Sequence, residues 1–274
     1  MGIIMIDTSL WFMFPVAVGI ATIAMLAGIG GAVMFAPFFM LVLRLDPLIA
    51  LGAGLAIEVF GFSSGVIGYL RKKVIRFDVV KQVIILTIPP TIIGVLLGRV
   101  IPAFALKILL TLLILYLAYQ FLLGGKECLP KDPRCTGVST SSERLNLTKV
   151  VKVTSMLGGL LVGMISSGLG EVNELNFLKK LKMPVPAASG TSVFLVAMSA
   201  IVGVCAHIYF LINNGELSVF TNVIPLLIFT VPGVVIGAQI GVMLSNIINR
   251  KYMGKFVGAL FIALAILILL TILR

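Results

Sequence analysis

The chain has 274 residues, 60% of them hydrophobic and only 11% charged, with a mean hydropathy of +1.20. A water-soluble domain carries about a quarter charged residues, so a soluble protein is excluded. The net charge of +11 does not point to nucleic acid either, because Lys and Arg sit almost entirely in the short loops between apolar segments, which is a topology signal.

In chain order, apolar segments fall near residues 10–27, 32–43, 48–70, 79–99 and 103–123. A polar linker over 124–149 carries Gly124-Gly125, Pro130, Pro133 and the run Ser139-Thr140-Ser141-Ser142, which is loop composition. Apolar segments resume near 150–167, 172–178, 186–212, 219–245 and 253–272. Several reach the roughly 20 residues that a helix needs to cross the hydrocarbon core. Backbone polar groups in lipid must be satisfied within the segment, and long non-alternating runs exclude a β-barrel. The expected fold is therefore an all-α polytopic membrane protein. No positive charge precedes Arg44, so a basic leader region is missing and the first segment is expected to be retained. Cys128 and Cys135 in the linker and Cys205 in an apolar segment are too few for a disulfide framework and are expected as free thiols.

The two sets of segments match each other. Gly28-Ile29-Gly30 pairs with Gly168-Leu169-Gly170, Ala50-x-Gly52 with Ala188-x-Gly190, and Gly65 with Gly203. Pro89-x4-Gly94-x3-Gly98 pairs with Pro232-x4-Gly237-x3-Gly241. The common order predicts a duplication: an N-terminal repeat over 1–125, a cytoplasmic linker over 126–149 and a C-terminal repeat over 150–274. An inverted repeat predicts opposite charge bias in equivalent loops. Arg71-Lys72-Lys73-Val74-Ile75-Arg76 stands opposite Asn213-Asn214-Gly215-Glu216, and the pair Arg44 and Asp46 stands opposite Lys179, Lys180 and Lys182. The basic turns, with Arg250, Lys251 and Lys255, are expected inside and both termini outside, in an inner cell membrane.

The second segment of each half is too short for a comfortable span. Each is expected to pair with its predecessor, through the Gly-x-Gly turn, as a re-entrant or broken helix pair followed by three transmembrane helices; two tilted, kinked helices are the other reading. Irregular backbone at membrane depth belongs where it lines a cavity, and a half-helix starting there aims free N–H groups at an anion. Gly28, Gly30, Gly31, Gly168 and Gly170 are therefore candidates for a substrate site, with close helix packing as the alternative. Ser166-Ser167-Gly168-Leu169-Gly170-Glu171-Val172-Asn173-Glu174-Leu175-Asn176 is unusually polar for a buried hairpin. Ser166, Ser167, Asn173, Glu174 and Asn176 are read as cavity-lining, against a solvated turn near the surface. Gly190, Thr191 and Ser192 add hydroxyls for an oxyanion, or cap their own helix. Glu58 is an isolated carboxylate in a long apolar segment and must face the bundle interior. Glu174 and Glu58 are candidates to couple proton movement to anion movement. His207, the sole histidine, is a relay candidate or a packed ring.

Taken together, Gly28-Ile29-Gly30-Gly31 with Pro37, Pro47-x2-Ala50-x-Gly52, the basic turn Tyr69-Leu70-Arg71-Lys72-Lys73, the glycine-spaced segment after Pro89, and Pro184-x3-Ala188-Ser189-Gly190-Thr191-Ser192 resemble the TauE/SafE family of sulfite and sulfonate exporters. The resemblance covers nearly the whole chain outside the linker. The chain departs from the family pattern at Gly30-Gly31-Ala32, where three glycines are usual, and at Gly52-Ala53-Gly54, where Gly-Thr-Ser is usual. It implies a secondary transporter, exporting a small sulfur-containing anion such as sulfite or an organosulfonate by alternating access. A passive anion channel is the alternative. No phosphate-binding Gly-x4-Gly-Lys-Ser/Thr motif is present, no metal cluster or nucleophile–base pair suggests an enzyme, and no cofactor is expected. Expected partners are the small anionic substrate and the lipid bilayer, with no nucleic acid; assembly into a homo-oligomer is left open.

Overall fold

The structure, a computed structural model, describes residues 8–27, 29–123, 147–215, 217–244 and 250–273. Gly28 and most of the linker, with Cys128 and Cys135, lie outside the described residues. After a 3-10 turn at Thr8–Phe12, the first half contains α1 Met13–Ala27, α2 Ala32–Leu41, α3 Pro47–Arg71, α4 Phe77–Val100 and α5 Ala103–Leu123. The second contains α6 Lys149–Ile165, α7 Leu169–Lys179, α8 Val185–Asn213, α9 Leu217–Leu244 and α10 Arg250–Leu273. Six of these, α3, α4, α5, α8, α9 and α10, are long and apolar enough to cross a membrane. The protein is an all-α, multi-pass membrane protein.

Local chemistry sets the breaks between helices. Pro47 opens α3 at its first position, where the missing N–H costs nothing. The turns that lead into α3 and α8 each contain a non-glycine residue in the left-handed region, Arg44 at φ 53° and Lys182 at φ 49°. The end of α6 is Ser166 at φ 58°, followed by Gly168 at φ 115°, a conformation that only glycine adopts readily. Helix α7 is longer than the apolar stretch 172–178 because its polar first turn, including Glu171, is buried rather than solvated.

Helix pairs formed across the two halves hold the bundle together. The most extensive are α1 with α9, α4 with α6, and α5 with α10, followed by α3 with α8 and α9, and α4 with α8. Exchanging α1–α5 for α6–α10 turns this pattern into itself: α1–α9 becomes α6–α4, and α3–α9 becomes α8–α4. Glycines make the first two pairs close. A Cβ on Gly94 would lie 2.2 Å from Leu160 O, and one on Gly163 would lie 2.1 Å from Thr91 O. In the equivalent pair, a Cβ on Gly237 would lie 2.4 Å from Val18 O. Small residues let backbones touch where lipid supplies no hydrophobic drive.

Helices α3 and α8 run antiparallel. The Tyr69 ring near the end of α3 packs on Gly190 near the start of α8, and Thr191 Oγ1 accepts the Arg76 N–H at 3.0 Å. Lys72 Nζ donates to Val242 O near the end of α9 at 2.6 Å. The exposed Arg71, Lys73, Lys179, Lys180 and Lys182 therefore gather at one end of the bundle. The starts of α3 and α9 and the ends of α4 and α8 form the other.

Candidate functional site

The two short helices start inside the bundle. Glu58, the twelfth residue of the 25-residue α3, donates nothing but accepts the Ala32 N–H at 2.8 Å through Oε1. At ~1.5 Å per residue, the start of α2 lies about 18 Å along α3, close to its middle. The polypeptide returns from there along α2 to the start of α3, whereas α7 leads to the start of α8 at the opposite end. The two hairpin turns thus enter from opposite ends of the bundle and meet.

Glu171 makes the junction. Its Oε1 accepts the Gly30 N–H at 2.8 Å and its Oε2 the Gly168 N–H at 3.0 Å. The second bond is half of a capping box, with Glu171 at the third position of α7; the first reaches across to the other hairpin. A Cβ on Gly30 would stand 2.7 Å from Glu171 Oε1 and 3.0 Å from Glu58 Oε1, so both carboxylates crowd against the same backbone position. Glu58 and Glu171 are 2% and 1% exposed, and Glu58 Oε2 has no hydrogen-bond partner. A void of about 20 Å³ adjoins Glu58, with Gly31 and Phe35 in its wall.

Ser166 Oγ–H donates to Leu51 O on α3 at 2.7 Å, and Ser192 Oγ–H donates to Gly170 O at 2.7 Å. Gly30, Gly31, Glu58, Ser166, Gly168, Gly170 and Ser192 are therefore brought together around the two turns, with Ser167 buried beside them. Gly28 belongs to the same turn in sequence but lies outside the described residues.

The other candidates are placed elsewhere. Asn173 accepts from Ser155 at 2.7 Å through Oδ1, Asn176 Nδ2–H donates to Thr154 Oγ1 at 2.8 Å, and Ser189 Oγ–H donates to Glu174 through a very short bond. These three contacts pin α7 between α6 and α8. Gly190 and Thr191 stand at the basic end, against Tyr69 and Arg76. His207 is remote from both groups, in a cavity at the other end of the bundle.

Helix starts also shift the sequence matching. Gly168 is the N-cap of α7, and its counterpart by position is Gly31, the N-cap of α2, not Gly28. The two carboxylates have no counterparts. The third position of α2 is Met34, and the twelfth position of α8 is Val196. Both acids serve the start of α2, so a symmetric frame carries asymmetric chemistry.

Sequence reasoning noticed Glu171 only as part of a polar run and passed over Arg99. A signal for Arg99 existed: it is a cation closing the apolar segment 79–99, at the end away from the basic loops.

A model of the family described as Sulfite exporter TauE/SafE matches residues 13–268. The chain is also similar to the probable membrane transporter protein YjnA of Bacillus subtilis (strain 168), with 26% identity over 228 residues, covering 78% of this chain and 84% of that protein. No solved structure matches it.

Proposed function

This chain belongs to the TauE/SafE sulfite exporter family, whose members are membrane transporters and not enzymes, and we propose that it is a proton-coupled secondary carrier exporting a small sulfur-containing anion, sulfite or an organosulfonate, by alternating access. Its substrate is a small molecule and its setting a lipid bilayer.

The observation that carries this proposal is the Glu171 bridge between the Gly30 and Gly168 amides, with Glu58 on the adjacent Ala32 amide. A helix start presents unpaired N–H groups and about half a positive charge, a ready anion site. Here that site is already occupied by the protein's own carboxyl groups. A sulfite or sulfonate oxygen arriving at Gly30 and Gly31 competes for the same donors. The displaced carboxylate takes a proton, because an extra unpaired charge at this depth costs several kcal/mol. Glu58 Oε2, without a hydrogen-bond partner, accepts that proton without breaking a bond. Ser167 Oγ, buried and unpartnered, offers a further polar contact to the cargo. Glu174, Asn176, Thr191 and Ser192 hold α7 and the start of α8 as the hairpin moves.

Alternating access fits two inverted repeats, 1–125 and 150–274, joined by a linker over 126–149. Its support is the helix pairing that survives exchange of the halves and the hairpins that enter from opposite ends. The basic end is assigned to the cytoplasm by the positive-inside bias, which puts both termini outside.

The test is flux of sulfite, sulfate, thiosulfate, sulfoacetate, taurine and chloride in proteoliposomes, with and without a proton gradient. Saturable movement of sulfite or a sulfonate that responds to the gradient is expected. Non-saturable chloride flux would favour a passive channel, and no flux above empty liposomes would sink the transport assignment for these anions.

A further inference from the structure

A cavity of about 290 Å³ lies toward the end of the bundle opposite the basic turns, lined along α3 from Asp46 to Ala56 and so reaching the level of Glu58 on a different face of that helix. Ile49, Ala53 and Ala56 of α3 form one wall and Val204, Ile208 and Leu211 of α8 the other. Both sets recur at helical spacing, so each is one continuous helix face. Against these apolar walls stand two nitrogen-bearing side chains, Arg99 at the end of α4 and His207 on the α8 face, with Asp46 at the start of α3 as the carboxylate in the lining. The Arg99 guanidinium lies 5.6 Å from the centre of the Phe210 ring, a stacking contact that orients its planar fork.

Nothing in the hairpin mechanism uses this place. Sequence-specific orientation does not require it either, since a cation at this end runs against the positive-inside bias. The volume lies at the lower edge of the ~300–1,000 Å³ range of small-molecule sites and far exceeds the ~30 Å³ share of a single water. A bare inorganic oxyanion would leave most of the apolar wall untouched. We propose that this cavity binds an organic anion, its sulfonate or carboxylate head on Arg99 and His207 and a short apolar body between the α3 and α8 faces. It rests on the anion-transport proposal only in taking that ligand as cargo on its way to or from the hairpins.

The experiment measures binding of sodium butanesulfonate and of sodium sulfite to the full chain in phosphatidylcholine nanodiscs by calorimetry. Butanesulfonate is expected to bind at least about tenfold more tightly than sulfite. Arg99→Gln is expected to weaken butanesulfonate by about tenfold or more, the loss of a charge-assisted fork, and Arg99→Lys by less. A wild-type protein that binds no butanesulfonate, or an Arg99→Gln variant that binds it as well as wild type, overturns the site. So does equal affinity for the two anions. Loss of butanesulfonate binding when the nanodiscs contain phosphatidylglycerol would assign the cavity to a lipid headgroup and overturn the soluble ligand. Sulfite flux in proteoliposomes separates the two proposals. Flux without butanesulfonate binding overturns the cavity alone, whereas Arg99-dependent binding without flux of any anion overturns the transport proposal and leaves the site standing.

Discussion

Glu171 of α7 accepts the backbone N–H of Gly30 at 2.8 Å, across 141 positions of chain and across the boundary between the two halves. The bond is short because Gly30 has no Cβ; any side chain there would meet the carboxylate itself. One residue thereby ties the two hairpin turns to each other, and it is an acid.

Changing that acid separates its two roles. Glu171→Gln keeps an acceptor oxygen for one amide but cannot lose or gain a proton, so a folded protein is expected whose sulfite flux no longer responds to an imposed proton gradient. Glu171→Ala leaves two buried N–H groups unpaired, at about 1–3 kcal/mol each, and is expected to lower the melting temperature in detergent as well. Gradient-sensitive flux in the Gln variant would remove Glu171 from the coupling.

Adding one methyl group at Gly30 tests the junction by packing alone. The new Cβ would lie 2.7 Å from Glu171 Oε1 and 3.0 Å from Glu58 Oε1, so Gly30→Ala must push one carboxylate off its amide. Flux is expected to fall by about tenfold, equivalent to ~1.4 kcal/mol. Gly19→Ala in α1 meets nothing within 4 Å and serves as the control, with unchanged flux. Equal flux in the two variants would mean that the crowding around Gly30 is inconsequential.

The close helix pairs make a symmetric prediction. A Cβ on Gly94 would approach Leu160 O, and one on Gly237 would approach Val18 O, to 2.2 and 2.4 Å. Because the obstacle is backbone, neither contact relaxes by a rotamer change. Gly94→Ala and Gly237→Ala are each expected to destabilise by about 1–3 kcal/mol, read as loss of melting temperature in detergent. A variant that melts with the wild type would show that the pair in question has slack.

Orientation is tested by labelling single cysteines, in a background lacking the native thiols, with a membrane-impermeant maleimide. Lys73→Cys and Lys180→Cys, both exposed at the basic end, are expected to react in inverted vesicles and not in intact cells. Asp46→Cys, exposed at the other end, is expected to show the reverse. Reaction of Lys73→Cys and Lys180→Cys from different faces would contradict the shared end that the Arg76–Thr191 and Lys72–Val242 bonds define.

Much of the architecture was legible in the sequence because its cause is local. Apolar length forces helices in lipid wherever it occurs, so the long spans appeared close to their observed bounds; the glycines after Pro89 and Pro232, which the sequence showed as matching repeats, lie in the tight helix pairs of the structure. The polar hairpin after α6 was also visible, since charge and amide groups in an apolar chain stand out. Tertiary structure alone decided what those groups do. Glu171 and Glu58 lie far apart in sequence, and only the meeting of hairpins from opposite ends puts both on the start of α2. Asn173, Asn176 and Glu174 share the run with Glu171 yet turn to α6 and α8, because helical periodicity sends neighbours to different faces. Arg99 and His207 come from α4 and α8, and nothing in either segment specifies the other. The sequence by itself determined which residues must be buried in a membrane bundle; which buried polar groups find one another depends on how non-adjacent helices pack.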